Sequence, residues 1–273
     1  LDIWVKKENG ERELFNPQKA LVALERAGLQ EKDADEVLRR LESRIYDGIP
    51  TRKIYSILFQ LIDRRRPEVS HRFNLKRALI DIGPEGYEFE DFISRLLGVQ
   101  GYDTEVRQKL QGKCVSHEID VIAAKGGKSY MMECKFHNQA GTRCRIQTIL
   151  YVYARFLDLQ AGAKLGLCPK FTAPWLVTNT KFSEDVIKYA GCMNLPLLGW
   201  HYPYGKSLEA MIEKSGCYPV SVIRMKPDSL RRLLKGKIVT VFDIPETPQK
   251  LSEISGVSRA DAAEIIERAQ FAR

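Results

Sequence analysis

The run 118-EIDVIAAKGGKSYMMECKF-136 restricts the fold more than any other part of the chain. Gly126-Gly127 suits a two-residue hairpin turn, because both positions can take φ > 0 without a Cβ penalty. That turn pairs Lys125 with Lys128. Stepping back along both strands, it then sets Asp120 opposite Glu133 and Glu118 opposite Lys135. Directly opposed side chains have Cβ atoms about 4.5–5.5 Å apart, and like charges there destabilise the pair. Lys135 shares the face of Glu133, because alternate residues of a strand point the same way. The opposite face carries Ile119, Val121, Met132, Cys134 and Phe136. One face therefore packs, and the other gathers acids around a lysine. A divalent cation between the carboxylates would offset their repulsion, since hard ions take oxygen ligands. An exposed polar face with an ordinary ion pair fits the same pattern, and the hairpin alone leaves both readings open.

The rest of the chain narrows the class. Its 273 residues suggest about two domains, and its 44% hydrophobic and 29% charged residues fit a globular protein. No apolar run approaches the roughly 20 residues that span a bilayer. The opening LDIWVKKENG lacks the apolar core of a signal peptide, so no membrane partner and a cytoplasmic location are expected. The six cysteines stand at 114, 134, 144, 168, 192 and 217 without a CxxC pair. Cys134, His137 and Cys144 fit no common zinc spacing, and reduced thiols are the expectation. The net charge of +8 favours a polyanionic partner, nucleic acid above all. The densest basic run is 224-RMKPDSLRRLLKGK-237, although such a run also suits a plain solvated face.

Periodicity divides the chain further. Residues 3–15 read as a hairpin turning at Asn9-Gly10. Asn16 caps a helix that has Pro17 at its first position and Gly28 at its end. Ala34, Val37, Leu38, Leu41 and Ile45 mark a second helix. Thr51 caps a third bearing Ile54, Ile57, Leu58, Leu61 and Ile62, and Pro67 opens a fourth. Gly83-Pro84 and Gly86 mark a junction. Beyond it Phe89, Phe92, Ile93, Leu96 and Leu97 form a helical stripe, and a strand at 103–110 precedes the hairpin. Residues 145–159 form a helix with Ile146, Ile149, Leu150 and Tyr153 inside. A strand at 175–178, a helix capped by Ser183 and a strand at 195–200 complete an αβββαβαβ order, an α/β sandwich. Residues 220–225 read as a strand and 251–269 as two short helices, giving a small α+β C-terminal region.

Two resemblances attach to these residues. The middle segment resembles the PD-(D/E)xK nucleases, and within them the Mrr-like restriction endonucleases. It carries an acid in one strand, Asp120, then acid-x-lysine in the next, 133-ECK-135. Glu90 in 86-GYEFEDFISRLLGVQGY-102 stands for the family's helix acid, with Glu88 as its rival. The later helix offers 147-QTILY-151, in which Gln147 and Tyr151 share a face. The N-terminal segment resembles the ATP-cone, a regulatory nucleotide-binding domain, through 5-VKKENG-10, 13-ELFNPQK-19 and 46-YDGIPT-51. The second helical pair of the C-terminal region partly resembles a helix-hairpin-helix, with Ser258 where that motif usually has a second glycine.

These resemblances imply three domains: an ATP-cone at 1–82, an endonuclease domain at 83–217 and a basic C-terminal region at 218–273. They imply Mg²⁺ or Mn²⁺ held by Glu90, Asp120, Glu133 and the carbonyl of Cys134. Lys135 would orient the attacking water or stabilise the transition state, with Gln147 and Tyr151 positioning it and the DNA. They also imply ATP or dATP at the cone as a regulatory ligand, contacted by Val5, Lys7, Glu13, Asn16, Lys19 and Thr51. The cone's last basic contact falls to Lys76 or Arg77. No GxxxxGK[ST] loop accompanies the cone, so nucleotide is expected to bind and not to be hydrolysed. The function expected is a metal-dependent DNA endonuclease, acting as a homo-oligomer and controlled by adenine nucleotide. The alternative is a silent module that binds DNA and senses nucleotide.

Overall fold

The computed structural model describes residues 3–7, 10–83, 86–139, 141–270 and 272. The chain divides into two compact units, the first ending at Lys76 and the second starting at Arg77.

The first unit joins a small sheet to helices. Strands β1 (Trp4–Lys6) and β2 (Arg12–Leu14) form the expected antiparallel hairpin. Its turn residue Asn9 lies outside the described residues. Helices α1 (Pro17–Arg26) and α2 (Glu31–Glu42) follow, then β3 (Ile49–Pro50), α3 (Thr51–Asp63) and α4 (Pro67–Ile80), within which the two units divide. Strand β3 pairs parallel to β1 and was not read from the sequence, because two residues carry no periodicity. Asn16 caps α1 by accepting from Gln18 N at 2.9 Å, as its residue type predicts. Thr51 does not cap α3. It is the helix's first residue, and its Oγ1 donates instead to Lys6 O at 3.1 Å, tying the helix start to β1. All five apolar positions expected of α3 are buried, in one core with Val5, Leu24, Val37 and Leu41.

The second unit is built on a five-stranded sheet. Helix α5 (Tyr87–Val99) precedes β4 (Asp103–Gln111), β5 (Ser116–Lys125) and β6 (Lys128–Lys135). Then come β7 (Arg143–Cys144), α6 (Ile146–Lys164), β8 (Ala173–Thr178), β9 (Lys181–Phe182), α7 (Glu184–Met193) and β10 (Leu197–Leu198). The sheet order is β10-β8-β6-β5-β4, antiparallel among β4, β5 and β6 and parallel from β6 to β10; β7 and β9 form a separate parallel pair. Helices α8 (Leu208–Ser215), α9 (Pro227–Lys235), α10 (Pro248–Ser255) and α11 (Arg259–Gln270) complete the unit. The architecture is a mixed α/β body with the small N-terminal unit. No helix among the described residues is long and apolar enough to cross a membrane.

Three expectations are corrected here. Residues 220–225 are not a strand: Val220–Val222 is a short 3₁₀ turn, and the described residues of the C-terminal region form helices and 3₁₀ turns with an isolated bridge between Pro219 and Thr240. A short apolar run does not distinguish a strand from other buried backbone. Leu150 is not inside α6 but 44% exposed. The inward stripe runs through Ile149, Val152, Arg155, Leu159 and Gly162. At the end of that stripe the sheet and helix nearly touch, since a Cβ on Gly162 would meet Gly112 C at 2.9 Å. Finally, 195–200 holds only the two-residue β10, because Gly199 and Trp200 turn away through the Gly199–Tyr202 bridge.

Candidate functional site

The hairpin takes the register that Gly126-Gly127 predicts: both glycines have positive φ, Lys125 pairs with Lys128, and the ladder continues to Val121 with Met132. There it stops, one pair short of Asp120 and Glu133. In place of the next backbone bond, Cys134 N donates to Asp120 Oδ2 at 2.7 Å. The carboxylate therefore enters the space between two strands that have begun to part.

The other edge of β5 is irregular at the same residue. The β4–β5 ladder pairs Val106 with Val121 and Gln108 with Ile119, leaving Arg107 at the position opposite Asp120. Arg107 has φ 53°, in the left-handed region where a side chain is strained. Side-chain alternation breaks with it. Ile119 joins Met131, Leu159 and Phe171 in one cluster, although Met131 stands opposite Ile122, three residues along the strand. Strict alternation would send Ile119 and Ile122 to opposite faces. The expected placing of Ile119 beside Val121 is corrected accordingly.

Glu90 comes from the first turn of α5, which starts after Gly86 at φ 92°. Its Oε2 accepts from Arg107 Nη1 at 3.1 Å, and Arg107 Nη2 reaches Asp91 Oδ1 at 2.6 Å. The rival Glu88 is turned elsewhere: its Oε2 is buried beside Gly83, without a hydrogen-bond partner among the described residues. Glu133 pairs with Arg155 of α6, a guanidinium only 7% exposed. Burial, and next the charge of Asp120, push the Glu90 carboxyl up to about 7. Burial likewise raises Asp120 and Glu133, and in Glu133 the charge of Asp120 adds to it. Lys135, at the exposed end of β6, acts on both Asp120 and Glu133 in the opposite sense. The three acids and the lysine thus share one electrostatic site.

The strand end that carries Lys135 is clamped by residues the sequence reading did not single out. Thr178 Oγ1 donates to Lys135 O at 2.7 Å. Asn179 Oδ1 accepts from His137 N at 2.9 Å, and its Nδ2 donates to His137 O at 2.8 Å. Both residues are fully buried at the end of β8. Gln147 and Tyr151 lie on exposed α6 surface, and the Tyr151 ring stacks under Arg155 at 5.1 Å from its centroid.

Could this set hold a cation? Among the described residues no three of His, Cys, Asp and Glu stand ready as a ligand cluster. Glu90 and Glu133 face Arg107 and Arg155 instead. The donors are nevertheless all oxygen and mutually repelling, which suits a hard divalent ion once an arginine turns aside. His137 Nε2 lies 3.5 Å from Cys144 Sγ, and the six thiols are free.

In the first unit, Lys7 and Lys19 converge on one carboxylate. Lys7 Nζ lies 3.0 Å from Glu13 Oε2 and Lys19 Nζ 3.2 Å from Glu13 Oε1, at the start of α1. Their hydrogen bonds hold Glu13 below the usual carboxylate range. Asn16 and Thr51 stand in the structural roles given above, and the Val5 side chain belongs to the core. Arg77 pairs with Asp81 at 2.8 Å.

Residues 3–71 match the family of the ATP cone domain, so that domain occupies the N-terminus. A protein of Archaeoglobus fulgidus, described only as uncharacterized, is 41% identical over 179 residues, which cover 65% of this chain and 98% of that protein. The chain belongs to the same family as that uncharacterized protein. A crystal structure of a protein of unknown function agrees with a TM-score of 0.58 and 40% identity, over 67% of this chain and 96% of that one. The MspJI restriction endonuclease, solved in complex with a 27-mer oligonucleotide, gives a TM-score of 0.29 at 14% identity, over 66% of this chain and 38% of that one.

Proposed function

We propose that the chain is a metal-dependent DNA endonuclease of the PD-(D/E)xK kind, with Mrr-like motifs, governed by adenine nucleotide at its ATP cone. The observation that carries this reading is the meeting of Glu90, Asp120, Glu133 and Lys135 at the point where β5 and β6 part. We retain the division into cone, nuclease body and basic C-terminal region at 1–82, 83–217 and 218–273.

Glu90, Asp120, Glu133 and the Cys134 carbonyl would hold Mg²⁺ or Mn²⁺, which when bound would polarise a phosphodiester oxygen and lower the pKa of a water. Lys135 places a positive charge beside the same carboxylates, where negative charge develops as the phosphorus is attacked. Thr178 and Asn179 fix the backbone on both sides of that lysine. Arg155 orients Glu133, and Tyr151 covers Arg155. At the cone, the Lys7 and Lys19 ammonium groups exchange Glu13 for nucleotide phosphates, helped by the N–H groups at the start of α1.

A second reading, a silent module that binds DNA and senses nucleotide, draws on one observation: Arg107 and Arg155 already neutralise two of the three acids. Nicking of supercoiled plasmid with Mg²⁺ or Mn²⁺, against an EDTA control, separates the two. Cleavage that disappears in both Asp120→Ala and Lys135→Ala, while duplex binding survives, supports the nuclease. No cleavage under any divalent ion, with duplex binding intact, supports the silent module.

A further inference from the structure

Arg107 is the most irregular residue of the sheet. It interrupts the β4–β5 ladder without shifting its register, since the pairs on both sides stay in step. Its backbone is left-handed at φ 53°, a conformation that glycine adopts freely and arginine does not. A strained side chain persists where its surroundings dictate its direction. Here the direction is toward the acids: one guanidinium nitrogen on Glu90 at 3.1 Å, the other on Asp91 at 2.6 Å. The guanidinium is not sealed in, for the side chain is 25% exposed.

Asp91 has a second cation. Lys237 Nζ lies 2.8 Å from its Oδ2. If Arg107 left, Asp91 would keep one positive partner. Glu90 would need another, and a divalent ion on the carboxylates would supply it. The two acids that hold Arg107 are therefore the two that can release it together. A released guanidinium beside Asp120 presents its planar fork to whatever anion the site has drawn in, and a phosphodiester matches that fork.

We propose that Arg107 is a substrate-binding residue that holds Glu90 in place of a cation and moves to a phosphodiester oxygen when a divalent ion takes Glu90. The assignment rests on the nuclease reading above. It also predicts two effects of opposite sign from one substitution. Removing the guanidinium frees Glu90, so divalent ions bind more tightly without DNA. It also removes a phosphate contact, so DNA binds less tightly in the presence of the ion.

The test uses the full chain and two variants, Arg107→Gln and Arg107→Gly. Glycine accepts the left-handed backbone, so the second variant keeps the fold where the first strains it. Ca²⁺ binding is measured calorimetrically without DNA, and binding of a short fluorescein-labelled duplex by anisotropy, in saturating Ca²⁺ and in EDTA. We expect Ca²⁺ affinity to rise severalfold in both variants. Duplex affinity in Ca²⁺ should fall about tenfold, the loss of one charged hydrogen bond, and should be unchanged in EDTA. A fall in both affinities would make Arg107 a purely structural residue and overturn the proposal. An equal loss of duplex affinity in Ca²⁺ and EDTA would overturn it too, as a general surface contact. Wild-type protein that binds duplex but no divalent ion would remove the nuclease reading itself, and this assignment with it.

Discussion

The Arg155 guanidinium, buried within the inward stripe of α6, pairs with the Glu133 carboxylate across the helix–sheet boundary. A charge at that depth is tolerated only when partnered. Arg155→Ala should therefore destabilise the chain by roughly 3–5 kcal/mol, leaving Glu133 buried and unpaired. Arg155→Met combined with Glu133→Gln should recover most of that loss. Urea unfolding of the single and double variants measures both. Additive losses would show that the two side chains are not energetically coupled.

Asn179 spends its whole amide on the backbone of His137. Asn179→Ala would remove the partner of the His137 N–H and carbonyl, at about 1–3 kcal/mol for each group left unsatisfied. The loss should be local. Hydrogen exchange at the His137 amide should quicken well beyond that at Met131 or Met132, inside the paired part of β6.

Asp158 of α6 pins the turn between β4 and β5. It accepts from Cys114 N at 2.9 Å and Val115 N at 3.3 Å, and meets His117 Nε2 at 2.8 Å. The His117 bond, and after it the two backbone bonds, hold its pKa down to about 2, from an ordinary 3.8. A depressed carboxylate stabilises the fold above its unfolded pKa, and that contribution is lost as pH falls through the folded value. Asp158→Asn should lower the melting temperature at neutral pH, and the gap from wild type should close as pH falls from about 4 to 2. A gap that stays constant with pH would mean that the carboxylate charge is immaterial.

At the cone, Lys7→Ala with Lys19→Ala should abolish ATP binding in calorimetry, while thermal unfolding changes little, because Lys19 is exposed, Lys7 is partly so, and ion pairs at such sites contribute little. ATP should be recovered intact after incubation with the wild-type chain. Where nucleotide governs the oligomeric state, light scattering should change with ATP in the wild type and not in the double variant.

Much of this was legible in the residues. Gly126-Gly127 dictated a register that the structure reproduces down to Val121 with Met132, and the apolar stripes of α3 and α5 are buried as spaced. The irregularities were not legible. Nothing in the residue types around 103–111 announces that Arg107 turns left-handed, or that its side chain meets Glu90 and Asp91, which are distant in sequence. Arg155 did leave a signal: it falls on the apolar stripe between Val152 and Leu159, where an arginine needs a buried acid. Thr178-Asn179-Thr180, a polar run directly after the buried strand end, left another. The basic run at 224–237 proved only partly a solvated face. Arg232 Nη1 donates to Gly256 O at 2.6 Å, bracing the turn between α10 and α11, and Lys226 pairs with Asp261. Arg231 pairs with Asp228 and Lys237 with Asp91.

Asp91 is gripped from the sheet by Arg107 and from the C-terminal region by Lys237. The segment beyond residue 217 is consequently no detachable appendage. A chain trimmed before Lys237 would leave Asp91 to Arg107 alone, tightening the hold on the arginine that guards Glu90. On the proposed nuclease reading such a truncate, even if perfectly folded, would demand more divalent ion to open the same carboxylates. Any hybrid that transplants only the central α/β body onto another protein would inherit that handicap unless it carried a cation of its own to Asp91.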